Sequence, residues 1–265
     1  MKLTYIKISP SQNMTVLVTS YVDPTDYVHI ANTIMDYEYV HAEQAGFIVS
    51  PQDNRSVLRL EMSGGEFCGN AVLAAAAYCK YQKICQDNRF LIEASGAKSP
   101  LLCDVKMKSP TFFEIKAEMP QQFSMNDIVI SYHNKSISGS LVQLEGIIHF
   151  VTNYWPHEDE FTYILEAVKE VAQDKAIGII PYRYLMEGAY EIRPFVYVGD
   201  TGATFFERSC GSGTLALGFF LAEKGKEHIF NVLQPGGTIC VEIGSKSYIS
   251  TDVRITCEGI VHLPF

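Results

Sequence analysis

The chain has 265 residues, 47% of them hydrophobic and 19% charged, with a formal net charge of −9. That length suffices for one large core or two modest ones, and the negative balance lacks the basic footprint that a nucleic acid or an anionic membrane surface requires. The first residues, Met-Lys-Leu-Thr-Tyr-Ile-Lys-Ile, have no secretory h-region, and no stretch reaches the roughly 20 apolar residues of a membrane span. A cytoplasmic protein is expected.

In chain order the pattern predicts strands at 3–8 and 14–19, a helix at 26–36, strands at 45–49 and 57–61, and a helix at 69–83. Strands at 90–92 and 111–118 follow. A turn-rich segment at 120–126 is the candidate boundary between two halves. Beyond it the pattern predicts a strand at 141–151, a helix at 159–173, and strands at 176–181, 190–198 and 203–207. A helix at 211–224 and strands at 239–243 and 252–262 complete the chain. The strands are rich in Val, Ile, Tyr, Phe and Thr and are bounded by Gly, Pro, Asn and Ser. Helices 26–36 and 159–173 carry apolar residues at helical spacing. Helices 69–83 and 211–224 are apolar nearly all round, the mark of a buried helix.

Those two buried helices begin alike. One entrance reads Phe67-Cys68-Gly69-Asn70-Ala71-Val72-Leu73-Ala74, the other Ser209-Cys210-Gly211-Ser212-Gly213-Thr214-Leu215-Ala216. Cys-Gly recurs, and Leu-Ala follows four residues later in both. Each helix leads through a Gly-containing turn into a strand, at Ser95-Gly96 and at Pro235-Gly236-Gly237. The parallel points to an internal duplication with two similar α/β halves.

The chain holds 7 cysteines. An odd number without an export signal argues against a disulfide framework. No pair or cluster has zinc-ligand spacing, so no metal is expected. Cys79, Cys85, Cys103, Cys240 and Cys257 read as small apolar core residues. Cys68 and Cys210 stand apart because of where they sit. A cysteine just before a helix faces the unpaired N–H groups of the first turn and the positive end of the dipole. Both favour thiolate, which makes the residue a usable base near neutral pH. The same N–H groups suit a carboxylate. Two such entrances facing each other would hold one substrate carboxylate and leave its α-carbon between two sulfurs. One thiolate would remove the α-proton and the opposite thiol would deliver another, inverting the carbon without an electron-sink cofactor. The bland alternative is two buried helix-start residues kept for packing.

These residues resemble the diaminopimelate epimerase fold family, which also takes in proline racemases and phenazine-biosynthesis-type isomerases; the last lack the cysteine pair. Ser11-Gln12-Asn13-Met14 resembles the family's N-terminal element, whose Asn contacts substrate, so Asn13 takes that role by resemblance. Glu43-Gln44-Ala45-Gly46-Phe47-Ile48 resembles the element after the first helix. Phe67-Cys68-Gly69-Asn70-Ala71 is similar to the first catalytic cysteine with its carboxylate-binding Gly-Asn, and Cys210-Gly211-Ser212-Gly213 to the second with its anion loop. Pro235-Gly236-Gly237-Thr238 and Cys257-Glu258-Gly259-Ile260 resemble the C-terminal signature. The resemblance implies an α+β fold of two pseudo-symmetric lobes, each a curved, mostly antiparallel sheet around a central helix. The lobes would be 1–119 with 252–265, carrying Cys68, and 120–251, carrying Cys210. It also implies a small-molecule amino-acid substrate, no cofactor and no metal, and homodimers are common among relatives.

Departures bear on the substrate. Glu207-Arg208 stands directly before Ser209-Cys210 where diaminopimelate epimerases have a longer loop. Their Gly-Asn-Pro-His element is reduced to Gly146-Ile147-Ile148-His149, and the strand that grips a distal amino-acid head is replaced by Ile177-Gly178-Ile179-Ile180. The motifs are instead closely similar to the histidine racemases that supply D-histidine for staphylopine-type metallophores. Histidine is the leading substrate; diaminopimelate or another amino acid is the alternative, and a non-catalytic amino-acid-binding protein the remoter one. On this reading Glu43 meets the substrate imidazole, against a solvated turn residue, and Glu207 holds the ammonium, against a salt bridge with Arg208. Gln44 joins them as a substrate-binding candidate. Glu66 reads as structural, Arg208 as surface-paired or as reader of a second carboxylate, and His149 as packed or hydrogen-bonded in its strand.

Overall fold

The computed structural model describes residues 1–132, 135–174, 176–199, 202–226 and 228–265. It runs β1 (Lys2–Pro10), β2 (Thr15–Val18), α1 (Tyr27–Met35), β3 (Gln44–Val49), β4 (Ser56–Met62), α2 (Gly69–Tyr81), β5 (Arg89–Ala94), β6 (Leu101–Ser109) and β7 (Phe112–Met119). Next come β8 (Ser124–Tyr132), β9 (Lys135–Leu144), β10 (Ile147–Thr152), α3 (Phe161–Lys169), β11 (Ala176–Met186), β12 (Ala189–Ile192) and β13 (Phe195–Val198). The chain ends with β14 (Ala203–Phe206), α4 (Gly211–Glu223), β15 (Ile229–Gln234), β16 (Gly237–Glu242) and β17 (Ser247–His262). It divides into two units, Met1–Pro120 with Ser250–Phe265, and Gln121–Ile249.

In the first unit β1 to β7 pair in succession, and β17 pairs with both β1 and β7, which closes a mixed barrel. Two neighbouring pairs are parallel, β2 with β3 and β4 with β5. Parallel neighbours need a long crossover, and each crossover here is a helix. α1 lies on the outer face, where Ile30, Ala31 and Ile34 meet Val16, Val18, Ala45 and Phe47, and Tyr27 stacks on Phe47 at 3.8 Å between ring centroids. α2 contacts every strand from β1 to β7. Its run Ala74-Ala75-Ala76-Ala77 is fully buried, since only small side chains let strands close in on all sides of a helix. Strands covered on both faces lose their alternation, which is why all four residues of β2 are buried.

The second unit repeats parts of this plan. β10 and β11 are parallel and joined across α3. Ile148, Phe150, Ile177 and Ile179 pack against Phe161, Ile164, Leu165 and Val168 on one face of the pair. By alternation His149, Gly178 and Ile180 take the other face, and α4 contacts β9, β10, β11 and β16. A β-carbon on Gly213 of α4 would lie 2.7 Å from Ile180 Cδ1, so the helix start is packed directly on β11.

Two predicted strands are each two. The span 141–151 breaks at Glu145-Gly146, where Gly146 has φ +78° and closes the β9–β10 hairpin. The span 190–198 breaks before Pro194, which has no N–H to offer a ladder: β12 pairs with β15 and the far half of β11, β13 with β14 and the near half. β6, β8 and β15 were not expected. Among the described residues no helix is long and apolar enough to cross a membrane.

Candidate active site

Each buried helix starts on its cysteine in the same geometry. Cys68 has φ −133° and ψ 109°, and Cys210 has φ −122° and ψ 106°. These extended values are those of an N-cap residue, usually Ser, Thr, Asp or Asn. Here sulfur takes the capping role: Cys68 Sγ accepts from Ala71 N–H at 3.3 Å, and Cys210 Sγ from Gly213 N–H at 3.2 Å.

In the first unit the parallel register of β2 and β3 sets Thr15 beside Gln44. Asn13, fully buried, and Glu43-Gln44 therefore lie on adjacent strand starts, and the N–H groups of Glu43 and Gln44 both donate to Met14 O, at 2.8 and 3.2 Å. Gln44 Oε1 accepts the S–H of Cys68 at 2.6 Å. Gly69 and Asn70 are buried in the first turn of α2. Asn13, Gln44, Cys68, Gly69 and Asn70 are thus gathered within this unit, whereas Glu43 is exposed.

The loop before Cys68 is fixed from behind. Ser95 Oγ accepts from Met62 N–H at 2.9 Å and donates to Glu66 O at 2.8 Å. Gly96, at φ +71°, comes so close that a β-carbon there would stand 2.4 Å from Phe67 N. Glu66 contributes its backbone, in keeping with a structural residue.

In the second unit Glu207 directly follows β14 on the way to Cys210, and Ser212 Oγ is 3.5 Å from Cys210 Sγ. The expected lowering of the Cys210 pKa does not hold in this state. The thiol is pushed well above its ordinary value, first by burial and then by the Glu207 carboxylate, which accepts its hydrogen bond; Ser212 and the Gly213 N–H act the other way and lose. With only 3% of its surface exposed, Cys210 offers a thiolate little contact with solvent. A dipole at a helix start is worth a fraction of a kcal/mol to roughly 2, less than the cost of burying an uncompensated charge.

Sequence reasoning gave no role to Gln234, Thr214 or Ser95. Gln234 Oε1 accepts from Cys210 N–H at 2.7 Å, and Thr214 Oγ1 donates to Cys210 O at 2.8 Å. A polar residue that closes β15 amid apolar neighbours was the available signal. Arg208 is exposed, its guanidinium 3.4 Å from Pro235 O. His149 is buried and packs on Gly178, where a β-carbon would meet its Nδ1 at 2.1 Å. The seven cysteines are all free thiols. Cys79 and Cys103 are core residues as expected, but Cys257 is exposed on an outward position of β17. Among the described residues no three His, Cys, Asp or Glu side chains are gathered as a metal ion would require.

The histidine racemase CntK N-terminal domain family matches residues 2–263. The chain belongs to this family. It is 29% identical to the histidine racemase of Staphylococcus aureus (strain Mu50 / ATCC 700699) over 271 residues, covering 98% of each chain. It is likewise 29% identical to the histidine racemase of Fusobacterium nucleatum subsp. nucleatum (strain ATCC 25586) over 267 residues, 98% of this chain and 97% of that one. Solved structures extend the fold. A probable proline racemase from Agrobacterium radiobacter K84 with bound carbonate superposes with TM-score 0.75 at 9% identity, covering 99% of this chain and 93% of that one. A hydroxyproline epimerase from Agrobacterium vitis with bound trans-4-OH-L-proline gives 0.74 at 10% identity, over 100% and 93%. A phenazine biosynthesis PhzF family protein from Enterococcus faecalis gives 0.66 at 13%, over 99% and 100%. The histidine racemase CntK N-terminal domain family thus shares its mixed, barrel-forming sheet with proline racemases and PhzF-type proteins. As a member the chain is an isomerase, an amino-acid racemase.

Proposed function

We propose that the protein interconverts L- and D-histidine by passing the α-proton between Cys68 and Cys210. The carrying observation is the match of residues 2–263 to the histidine racemase family, in a chain where two cysteines cap two buried helices alike. One thiolate takes the proton from one face of the α-carbon as its S–H bond forms. The opposite thiol gives up its own proton to the other face, and configuration inverts. In this reading the first-turn N–H groups around Gly69, Asn70, Gly211 and Ser212 receive the substrate carboxylate, whose charge grows as the carbanion develops. Asn13 and Gln44 complete the grip, Glu207 holds the ammonium and Glu43 the imidazole. An ammonium on Glu207 offsets the carboxylate that now raises the Cys210 pKa, so substrate itself would help to ionise that thiol.

The same reading takes residues 1–119 with 252–265 and residues 120–251 as two lobes of diaminopimelate epimerase type, acting without pyridoxal phosphate or metal. It sets the protein in the cytoplasm, where both thiols stay reduced, as a homodimer, with D-histidine destined for a staphylopine-type metallophore.

Incubation with each L-amino acid in deuterated water, following α-deuterium by NMR and optical rotation in parallel, tests the whole reading. Histidine should exchange and racemise fastest, Cys68→Ala and Cys210→Ala should each lower inversion by about 100-fold or more, and Glu43→Gln should raise KM for histidine. A better substrate than histidine removes the specificity. Inversion surviving either cysteine replacement removes the mechanism.

A further inference from the structure

Both backbone polar groups of Cys210 are tied into one closed circuit of buried side chains. Cys210 N–H donates to Gln234 Oε1 at 2.7 Å, Gln234 Nε2 donates to Thr214 Oγ1 at 2.8 Å, and Thr214 Oγ1 donates to Cys210 O at 2.8 Å. Thr214 is fully buried and Gln234 is 8% exposed. The donors and acceptors leave no freedom. Cys210 O can only accept, so the Thr214 hydroxyl spends its one proton there and must accept from Gln234. That turns the amide so that its oxygen faces Cys210 N–H. Glutamate at 234 would have no proton for Thr214, and a methionine would serve neither end. A second stitch runs beside the circuit: Gly236 N–H donates to Arg208 O at 2.6 Å.

The corresponding positions in the other half of the chain carry neither residue type. Four residues after Cys68 stands Val72, where four after Cys210 stands Thr214, and β5 ends on Ala94 where β15 ends on Gln234. If the clamp merely served a buried helix start, α2 would be expected to carry it too. What α4 gains is a fixed direction for one sulfur, since the Cα–Cβ bond is oriented by the backbone groups on either side of it.

We infer that Gln234 and Thr214 are positioning residues for Cys210, holding its sulfur on the Gly213 N–H and on the line of proton transfer. The inference rests on Cys210 being one of the two acid–base groups. Loss of the clamp should leave Cys68 able to exchange the α-proton of the enantiomer it attacks, while delivery from Cys210 to the opposite face fails. Exchange then outruns inversion.

The test uses the full-length enzyme with Gln234→Met, Gln234→Glu, Thr214→Val and Thr214→Ser. The first three should lower kcat for inversion by 10-fold or more with KM changed less than 3-fold. They should raise the ratio of α-deuterium exchange to inversion in deuterated water, and Thr214→Ser, which keeps the hydroxyl, should recover most of the loss. A readout without substrate runs alongside: peptide-resolved iodoacetamide labelling against pH, in which the Cys210 profile moves and the Cys68 profile does not. The inference is overturned if Gln234→Met and Thr214→Val leave both the exchange ratio and the Cys210 profile at wild-type values. It is equally overturned if exchange and inversion fall together in proportion to lost folded protein. Failure of the two-cysteine reading looks different, because Cys210→Ala would then still racemise whatever the labelling of Cys210 shows.

Discussion

At residue 149 a titratable ring occupies a position that packing alone would give to an apolar side chain. His149 has no exposed surface, and neither ring nitrogen has a hydrogen-bond partner among the described residues. Burial disfavours the imidazolium and lowers the pKa from 6.5 to about 3. The unfolded chain therefore binds a proton at this residue through a pH range in which the folded chain does not. Stability from this term is intact above pH 6.5 and is lost as pH falls from there towards 3, with a limiting slope of about 1.4 kcal/mol per pH unit. His149→Leu removes the titration. The variant's urea midpoint should fall less than the wild type's between pH 7 and pH 4.5, as measured by circular dichroism; parallel curves would show that the ring is solvated or partnered in solution. His149 is packed within its strand, one of the two places the sequence allowed it, but the reason lies in its neighbour. Gly178 leaves the space that the ring fills, a pairing of β10 with β11 that no local pattern announces.

The turn between β1 and β2 carries a different kind of cost. Ser11 and Gln12 have φ of +44° and +64°, both left-handed, and neither is glycine. Such a conformation costs a side-chain-bearing residue roughly 1–2 kcal/mol. The turn is held by Ser11 N–H on Asp252 O at 3.2 Å and by the Ser11 and Thr251 hydroxyls, and it delivers the buried Asn13. Gln12→Gly relieves the strain but loosens the unfolded chain, which returns part of the gain. The net expectation is a stabilisation of at most about 1 kcal/mol, read from the urea midpoint; destabilisation would mean that the Gln12 side chain anchors the turn. Elements were legible where their periodicity was strong and complete. Among the described residues the α-helices α1 to α4 lie within the predicted spans, and both cysteine entrances were visible from the Cys-Gly repeat. The errors fall where one residue decides. Gly146 and Pro194 each cut a span that reads as one strand into two with different partners, and β8 starts inside a segment whose composition reads as turn. The clamp on Cys210 was illegible because Thr214 and Gln234 are 20 residues apart and meet only once α4 and β15 are side by side.

At the scale of the molecule the chain leaves its first unit at Pro120 and returns to it at Ser250. The returning strand is not an appendage. β17 pairs with β1 from Lys2↔His262 to Pro10↔Val253 and also with β7, so without it two barrel strands would present open edges. Met1 and the last residues are adjacent, the terminal amino group donating to Leu263 O at 2.7 Å. A short linker can therefore join the end to the beginning without disturbing either strand. A single chain running 247–265, a Gly-Ser linker and 1–120 then holds the whole barrel in uninterrupted order, with α2 inside it and α1 outside. Such a chain should unfold in urea as one cooperative transition, whereas residues 1–120 alone should show none. In the rearranged chain Cys68 should keep its bond to Gln44, seen as an iodoacetamide profile matching that of the full-length protein. It should also be inactive on histidine, because the second acid–base group of the proposed pair is missing. A rearranged chain without a cooperative transition would mean that the barrel needs the second unit to fold. One that racemises histidine would mean that a single cysteine suffices for both faces of the α-carbon, which the proposed two-base chemistry does not allow.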